Sequence, residues 1–199
     1  MTLDYLLALT TFCLVTSLTP GPNNIMLMAS GINYGVRRTL PHAAGILVGW
    51  PLMVLLVALG LGRIFETVPA AYTVLKILSS LYILWLAWRI ATARPAEEGA
   101  VKAGAPMTFL GAAAFQWVNG KAWFMAVSSI AAFTLAGNYA ASVAAIVICF
   151  ATTGIVSSTS WTLFGAGLRR VLTDPRYFRW INIFLALTLV ASLWPMLAH

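Results

Sequence analysis

The stretch SLTPGPNNIMLMASG, Ser17 to Gly31, sets two prolines, a glycine and two asparagines inside a run that is otherwise uncharged and apolar from Tyr5 to Tyr34. That run is longer than the ~20 apolar residues a bilayer-spanning helix needs. Proline removes a backbone donor and clashes with the preceding turn, and glycine adds backbone freedom, so Pro20, Gly21 and Pro22 are expected to unwind or sharply kink a helix. In lipid the freed backbone groups must be satisfied, which is tolerated only where backbone is buried in protein or lines a cavity. Tyr5 to Thr19 measures about 22 Å as helix, so the break falls past mid-depth. Asn23 and Asn24 then offer amide donors and acceptors beside it. The competing interpretation is an ordinary loop: a short first span ending at Thr19, and an interfacial helix from Ile25 onward, since Pro-Gly and Asn-rich clusters also mark turns.

Composition places that break in a membrane protein. Of 199 residues, 61% are hydrophobic and 9% charged, against roughly 25% charged in a soluble domain. The few charges divide the chain into uncharged or nearly uncharged stretches: Tyr5 to Tyr34, Thr39 to Gly62, Thr67 to Trp88, Met107 to Tyr139, Ala140 to Leu168 and Trp180 to Ala198. Six spans fit. They leave no interval for a soluble domain, and the longest polar connection, Arg89 to Lys102, reads as a linker. The expected fold class is an all-α integral membrane protein, a single transmembrane domain over 1–199.

The basic residues orient it. Arg37 and Arg38 lie in the first connection, Arg89, Arg94 and Lys102 in the third, and Arg169, Arg170, Arg176 and Arg179 in the fifth, whereas the second holds only Arg63. By the positive-inside rule the odd connections are cytoplasmic and both termini lie outside. The N-terminus carries Asp4 and no basic residue before Arg37, which argues against a cleaved signal peptide. The net charge of +7 is explained by these loop positions, and nucleic-acid binding is not expected.

The residue inventory argues against an enzyme. Two histidines, His42 and His199, build neither a bis-histidine haem site nor a clustered metal site. The acids Asp4, Glu66, Glu97, Glu98 and Asp174 all avoid span interiors, so no intramembrane carboxylate pair exists. No GxSxG occurs. Cys13 and Cys149 lie within spans, far from any CxxC spacing, and read as small buried residues without a redox role. No cofactor or metal is expected.

Transport remains, and a second interruption supports it. AFQWVNGKAWF sets Gln116, Asn119, Gly120 and Lys121 amid apolar residues, about 18 Å into the fourth stretch if helical. Spans one and four hold matching places in two halves of three spans each, about 1–93 and 105–199, joined by a linker at about 94–104. Because three is odd, the halves run in opposite directions. Matched interruptions in inverted halves are the best sequence pointer to a transporter's central site. The candidate substrate-binding residues are therefore Pro20, Gly21, Pro22, Asn23, Asn24, Gln116, Asn119 and Lys121.

Lys121 is the basic residue deep enough to need a partner: a substrate carboxylate, carbonyls freed at Pro20 to Pro22, or the interface reached by snorkelling. Lys76, near the outer end of the third span, is expected to snorkel. His42 reads as an interfacial residue at the cytoplasmic end of the second span. Trp50, Trp85, Trp88, Trp180 and Trp194 suit an aromatic belt. Trp117 and Trp123 flank the second break as pocket wall or core packing. Gly31 and Gly35, and Gly45 and Gly49, form GxxxG pairs that serve packing within the chain or a homodimer.

At TPGPNN (Thr19 to Asn24), GINYGVRRTLPHAAGILVG (Gly31 to Gly49), LYILWLAWRIA (Leu81 to Ala91) and QWVNGKAW (Gln116 to Trp123) the chain resembles the LysE/RhtB-type amino-acid exporters. With length and span count the resemblance covers the whole chain. It implies a bacterial inner-membrane carrier that expels amino acids or their derivatives in exchange for protons, and the doubled Asn23-Asn24 looks most like the cysteine and O-acetylserine exporter branch. Many relatives have proline at the position of Gly120, so the second break is expected to be looser here. Homoserine- or threonine-like substrates fit the same resemblance. Two other readings stay open: a passive channel or facilitator for small polar solutes, and a membrane assembly factor that transports nothing.

Overall fold

The computed structural model describes residues 1–93, 105–171 and 174–194. The linker expected at 94–104, with Arg94, Glu97, Glu98 and Lys102, and the C-terminal His199 lie outside the described residues. All regular structure among the described residues is helical. In chain order the helices are α1 (Leu3–Leu18), α2 (Pro22–Ala58), α3 (Ile64–Thr67), α4 (Pro69–Ala91), α5 (Phe109–Phe115), α6 (Gly120–Phe133), α7 (Tyr139–Val171) and α8 (Pro175–Ala191). Pro22–Ala58, Ala70–Ala91 and Ala136–Val171 are long and apolar enough to cross a membrane, and Leu3–Leu18 is a shorter apolar helix.

Local chemistry sets the boundaries. The Thr2 hydroxyl accepts from the Tyr5 N–H, the Thr108 hydroxyl from Gly111, and the Asp174 carboxylate from Arg176, each satisfying an N–H that has no partner within its helix. Asp174 and Pro175 start the last helix earlier than hydropathy suggested, because proline at a first helical position is preorganised there. α2 bends at Gly35, whose φ of 75° lies in the left-handed region that favours glycine. The bend makes two arms, 22–34 and 36–58. The first expected stretch is therefore α1 plus the first arm, broken at 19–21. The fourth is α5, a 3-10 turn at Gln116–Val118, an extended Asn119, and α6.

The polarity of the fold is that of a membrane protein. Large apolar side chains stand outward on α1, α4 and α8, such as Leu7, Ile77, Leu81, Trp85, Trp88, Phe184 and Leu187, while Asn24, Ser30, Asn33, Gln116, Asn119, Ser157 and Asn182 are buried. Lipid accepts the first group, and the second must be hydrogen-bonded inside the protein. One core cluster joins the first arm of α2 to α4, α5 and α8, and a second joins α1 to the second arm, α6 and α7. Residues 24–33 are buried throughout. This segment has no side for water or lipid, so it is not the interfacial helix that was one expectation for it.

The GxxxG glycines are used within the chain. A Cβ at Gly31 would lie 2.5 Å from the Thr162 carbonyl oxygen, and one at Gly45 would lie 2.2 Å from that of Phe109. These are helix crossings that only a bare Cα permits. Gly35 serves the bend instead.

Candidate functional site

α1 ends at the half-buried Leu18, which leaves its last carbonyls without helical partners. Four side chains from three other helices take them. Asn24 Nδ2 donates to the Ser17 and Thr19 carbonyl oxygens at 2.7 and 3.0 Å. Ser157 Oγ donates to Ser17 O at 2.7 Å and lies 3.2 Å from Asn24 Oδ1. Trp161 Nε1 donates to Leu18 O at 3.3 Å. Lys121 Nζ reaches Thr19 O at 2.9 Å and Pro20 O at 3.5 Å. A cation at a helix C-terminus also complements the dipole. The expectation that Pro20, Gly21 and Pro22 present open backbone is thus modified, since the carbonyls from Ser17 to Pro20 are covered by side chains.

The two breaks are tied directly. Asn23 Nδ2 donates to Gln116 Oε1 at 2.9 Å, and Gln116 Nε2 returns a bond to Asn23 Oδ1 at 3.2 Å while also donating to Ala112 O. Above this pair lies a pocket of about 50 Å³ lined by Gly21, Pro22, Asn23, Asn24, Asn119 and Lys121, together with Thr16, Ser17, Ile46, Trp50, Ala122, Met125, Gly154, Ser157 and Ser158. It has room for a few waters or a compact solute, well below the several hundred Å³ of a drug-sized site. Gln116 is fully buried and does not line it. Pro20 is exposed and touches the site only through its carbonyl.

Two helix N-termini converge on this space. α2 begins at Pro22 and α6 at Gly120, and neither has a side-chain cap. Their first N–H groups and the positive ends of their dipoles favour an anion. Lys121 adds a full charge. Gly21 makes room for it, since a Cβ there would lie 2.7 Å from Lys121 Cδ. Asn119 supplies the opposite polarity: its side chain is buried, lines the pocket, and its Oδ1 has no hydrogen-bond partner among the described residues.

Several placements differ from the sequence reading. Trp50 is not part of an aromatic belt; it is buried, packs edge-on against Phe150 with ring centroids 5.0 Å apart, and lines the pocket. Trp117 and Trp123 belong to the packing around Phe65, with Trp123 Nε1 bonded to Trp117 O. His42 is not interfacial: it is 2% exposed, and neither ring nitrogen has a partner among the described residues. Lys76 sits 5.3 Å from the centroid of the Tyr72 ring. The contribution of α7 was missed altogether, although the small and polar run GIVSSTS, Gly154 to Ser160, interrupts an otherwise apolar helix.

Residues 14–192 match the family described as LysE type translocator. The chain is 35% identical over 192 residues to the cysteine/O-acetylserine efflux protein of Escherichia coli (strain K12), with 96% of each chain covered. It is similar to the same extent to proteins of that name from Escherichia coli O9:H4 (strain HS) and Shigella sonnei (strain Ss046). No solved structure matches it.

Proposed function

Because the chain belongs to the LysE type translocators, we propose that it is a secondary transporter exporting small amino acids or their derivatives, of the cysteine/O-acetylserine or homoserine/threonine kind, from the cytoplasm in exchange for protons. The observation that carries this reading is the meeting of the two helix breaks, at 19–21 and at Asn119, in one small pocket that holds several polar side chains. A zwitterion needs an anion seat and, within a few ångströms, acceptors for its ammonium. The N-termini of α2 and α6 with Lys121 supply the first. Asn119 Oδ1 and the Ser158 hydroxyl supply the second. The Asn23–Gln116 pair then acts as a strut joining the breaks, and Asn24 holds the end of α1.

Export requires the site to face each side in turn. The proposed unit is two inverted three-span halves, 1–93 and 105–199, one of which rocks against the other. The helix pairing supports it. α1 packs on α7 and α5 on α2, while α2 also packs on α7 and α4 on α8, a set that maps onto itself when the halves are exchanged. Both termini are placed outside a bacterial inner membrane, with Arg37, Arg38, Arg169 and Arg170 cytoplasmic.

The test is counterflow in proteoliposomes against a panel of labelled amino acids, with and without a pH gradient. A carrier accumulates label against unlabelled substrate on the far side, and an inward proton gradient drives extrusion. Flux that never saturates or accumulates indicates a channel, and no flux indicates an assembly role; either result overturns the proposal.

A further inference from the structure

Below the pocket, the second arm of α2 and α7 face each other in a ladder of contacts. Trp50 packs on Phe150, Leu47 lies against Gly154, and Ala43 shares a cluster with Trp161. On α2 the face that carries Trp50 and Ile46 continues, at the same four-residue spacing, to His42. On α7 the face that carries Gly154 and Ser158 continues likewise to Thr162. The first two members of each series line the pocket. The third members, His42 and Thr162, come one rung further, beyond an apolar floor of Leu27, Ile46 and Ala112 backed by Trp161.

Both are buried, at 2% and 4% exposure, and His42 Nδ1, His42 Nε2 and Thr162 Oγ1 have no hydrogen-bond partner among the described residues. A threonine within a helix ordinarily bonds its hydroxyl to the carbonyl one turn back; Thr153 does so to Cys149, and Thr162 does not. Buried polar groups without partners disfavour the conformation that holds them, and leucine and valine would fill the same space without that cost. One turn further along α2 lies Thr39, bonded to Ser30 and to the carbonyl of Gly35, and the bend at Gly35 lies beside Arg169.

We propose that His42 and Thr162 form a second station for the zwitterion, between the central pocket and the Arg37–Arg38 end, whose hydrogen-bonding groups take up the solute when the floor of Leu27, Ile46 and Trp161 parts. The station rests on the transport reading above. It explains why two polar side chains are kept unpartnered on one rung beyond the pocket, and why the floor between them and the pocket is built of apolar side chains, of which Trp161 alone is tied, to the Leu18 carbonyl.

The experiment compares the parent with His42→Leu, His42→Gln and Thr162→Val in counterflow of labelled cysteine, O-acetylserine, homoserine and threonine, with Tm measured on the same preparations. His42→Leu and Thr162→Val are expected to keep or raise Tm while counterflow falls about tenfold, the factor one lost hydrogen bond gives. His42→Gln, which keeps a donor and an acceptor, is expected to retain most of the flux. The station is overturned if His42→Leu exchanges at the parental rate, or if Tm and flux fall together in His42→Leu and His42→Gln alike, which marks a packing role. If the parent exchanges none of these amino acids, the transport reading fails and the station with it; parental exchange with an unimpaired His42→Leu removes the station alone.

Discussion

The ammonium of Lys121 donates to the carbonyl oxygen of Thr19 at 2.9 Å across 102 residues of sequence. One cation therefore closes the end of α1 and charges the start of α6. On the transport reading proposed above, a substrate carboxylate in the pocket would compete with Thr19 and Pro20 for the same N–H donors, which would couple solute binding to the grip on α1.

Lys121→Ala should abolish export at normal protein levels, because it removes both the anion's counter-charge and the cap on Thr19. Lys121→Arg keeps a charge that does not release a proton under working conditions. It should retain exchange of substrate and lose accumulation driven by a pH gradient, which counterflow and gradient-driven uptake separate. Parental export by Lys121→Ala would make this lysine an anchor only.

Gly21→Ala should displace the lysine without unfolding the protein. The added Cβ meets Lys121 Cδ at 2.7 Å and Nζ at 2.9 Å, and a flexible side chain can move where backbone could not. Loss of the capping contact should lower stability by about 1 kcal/mol, with export reduced nearly as far as in Lys121→Ala. Unchanged export would show that the lysine acts equally well from another position.

Asn24→Ala and Asn119→Ala should part ways. Asn24 gives two hydrogen bonds to the end of α1, and although Ser157 and Lys121 still reach the same two carbonyls, losing both bonds should cost about 1–3 kcal/mol in thermal or denaturant unfolding. Asn119 Oδ1 holds nothing among the described residues, so its removal should leave Tm nearly unchanged and raise the KM for export. A large Tm loss in Asn119→Ala would assign it to structure.

For topology, single cysteines placed near Gly137 and near Arg94 in a background lacking Cys13 and Cys149 should be labelled by an impermeant thiol reagent from opposite sides of the membrane. Labelling from one side alone would refute six spans with both termini outside.

Membrane residence and the two helix breaks were legible in the sequence because each is local. Apolar content sets the solvent a segment prefers, and Pro20, Gly21 and Pro22 disrupt a helix wherever it lies. The need of Lys121 for a partner was legible too, since a charge within an apolar run must be compensated. Which of three partners it takes in this conformation was not, because the carbonyl of Thr19 comes near only when α1 and α6 are packed. The same holds for Trp50, buried against Phe150; for Ser157 and Ser158, brought to the pocket by α7; and for Gln116, turned away from the pocket into a bond with Asn23. Hydropathy has no direction around a helix that is apolar on every side, so it cannot say which face meets protein and which meets lipid. That choice was made by helix crossings such as those at Gly31 and Gly45, where missing side chains let backbones from distant parts of the chain come within contact.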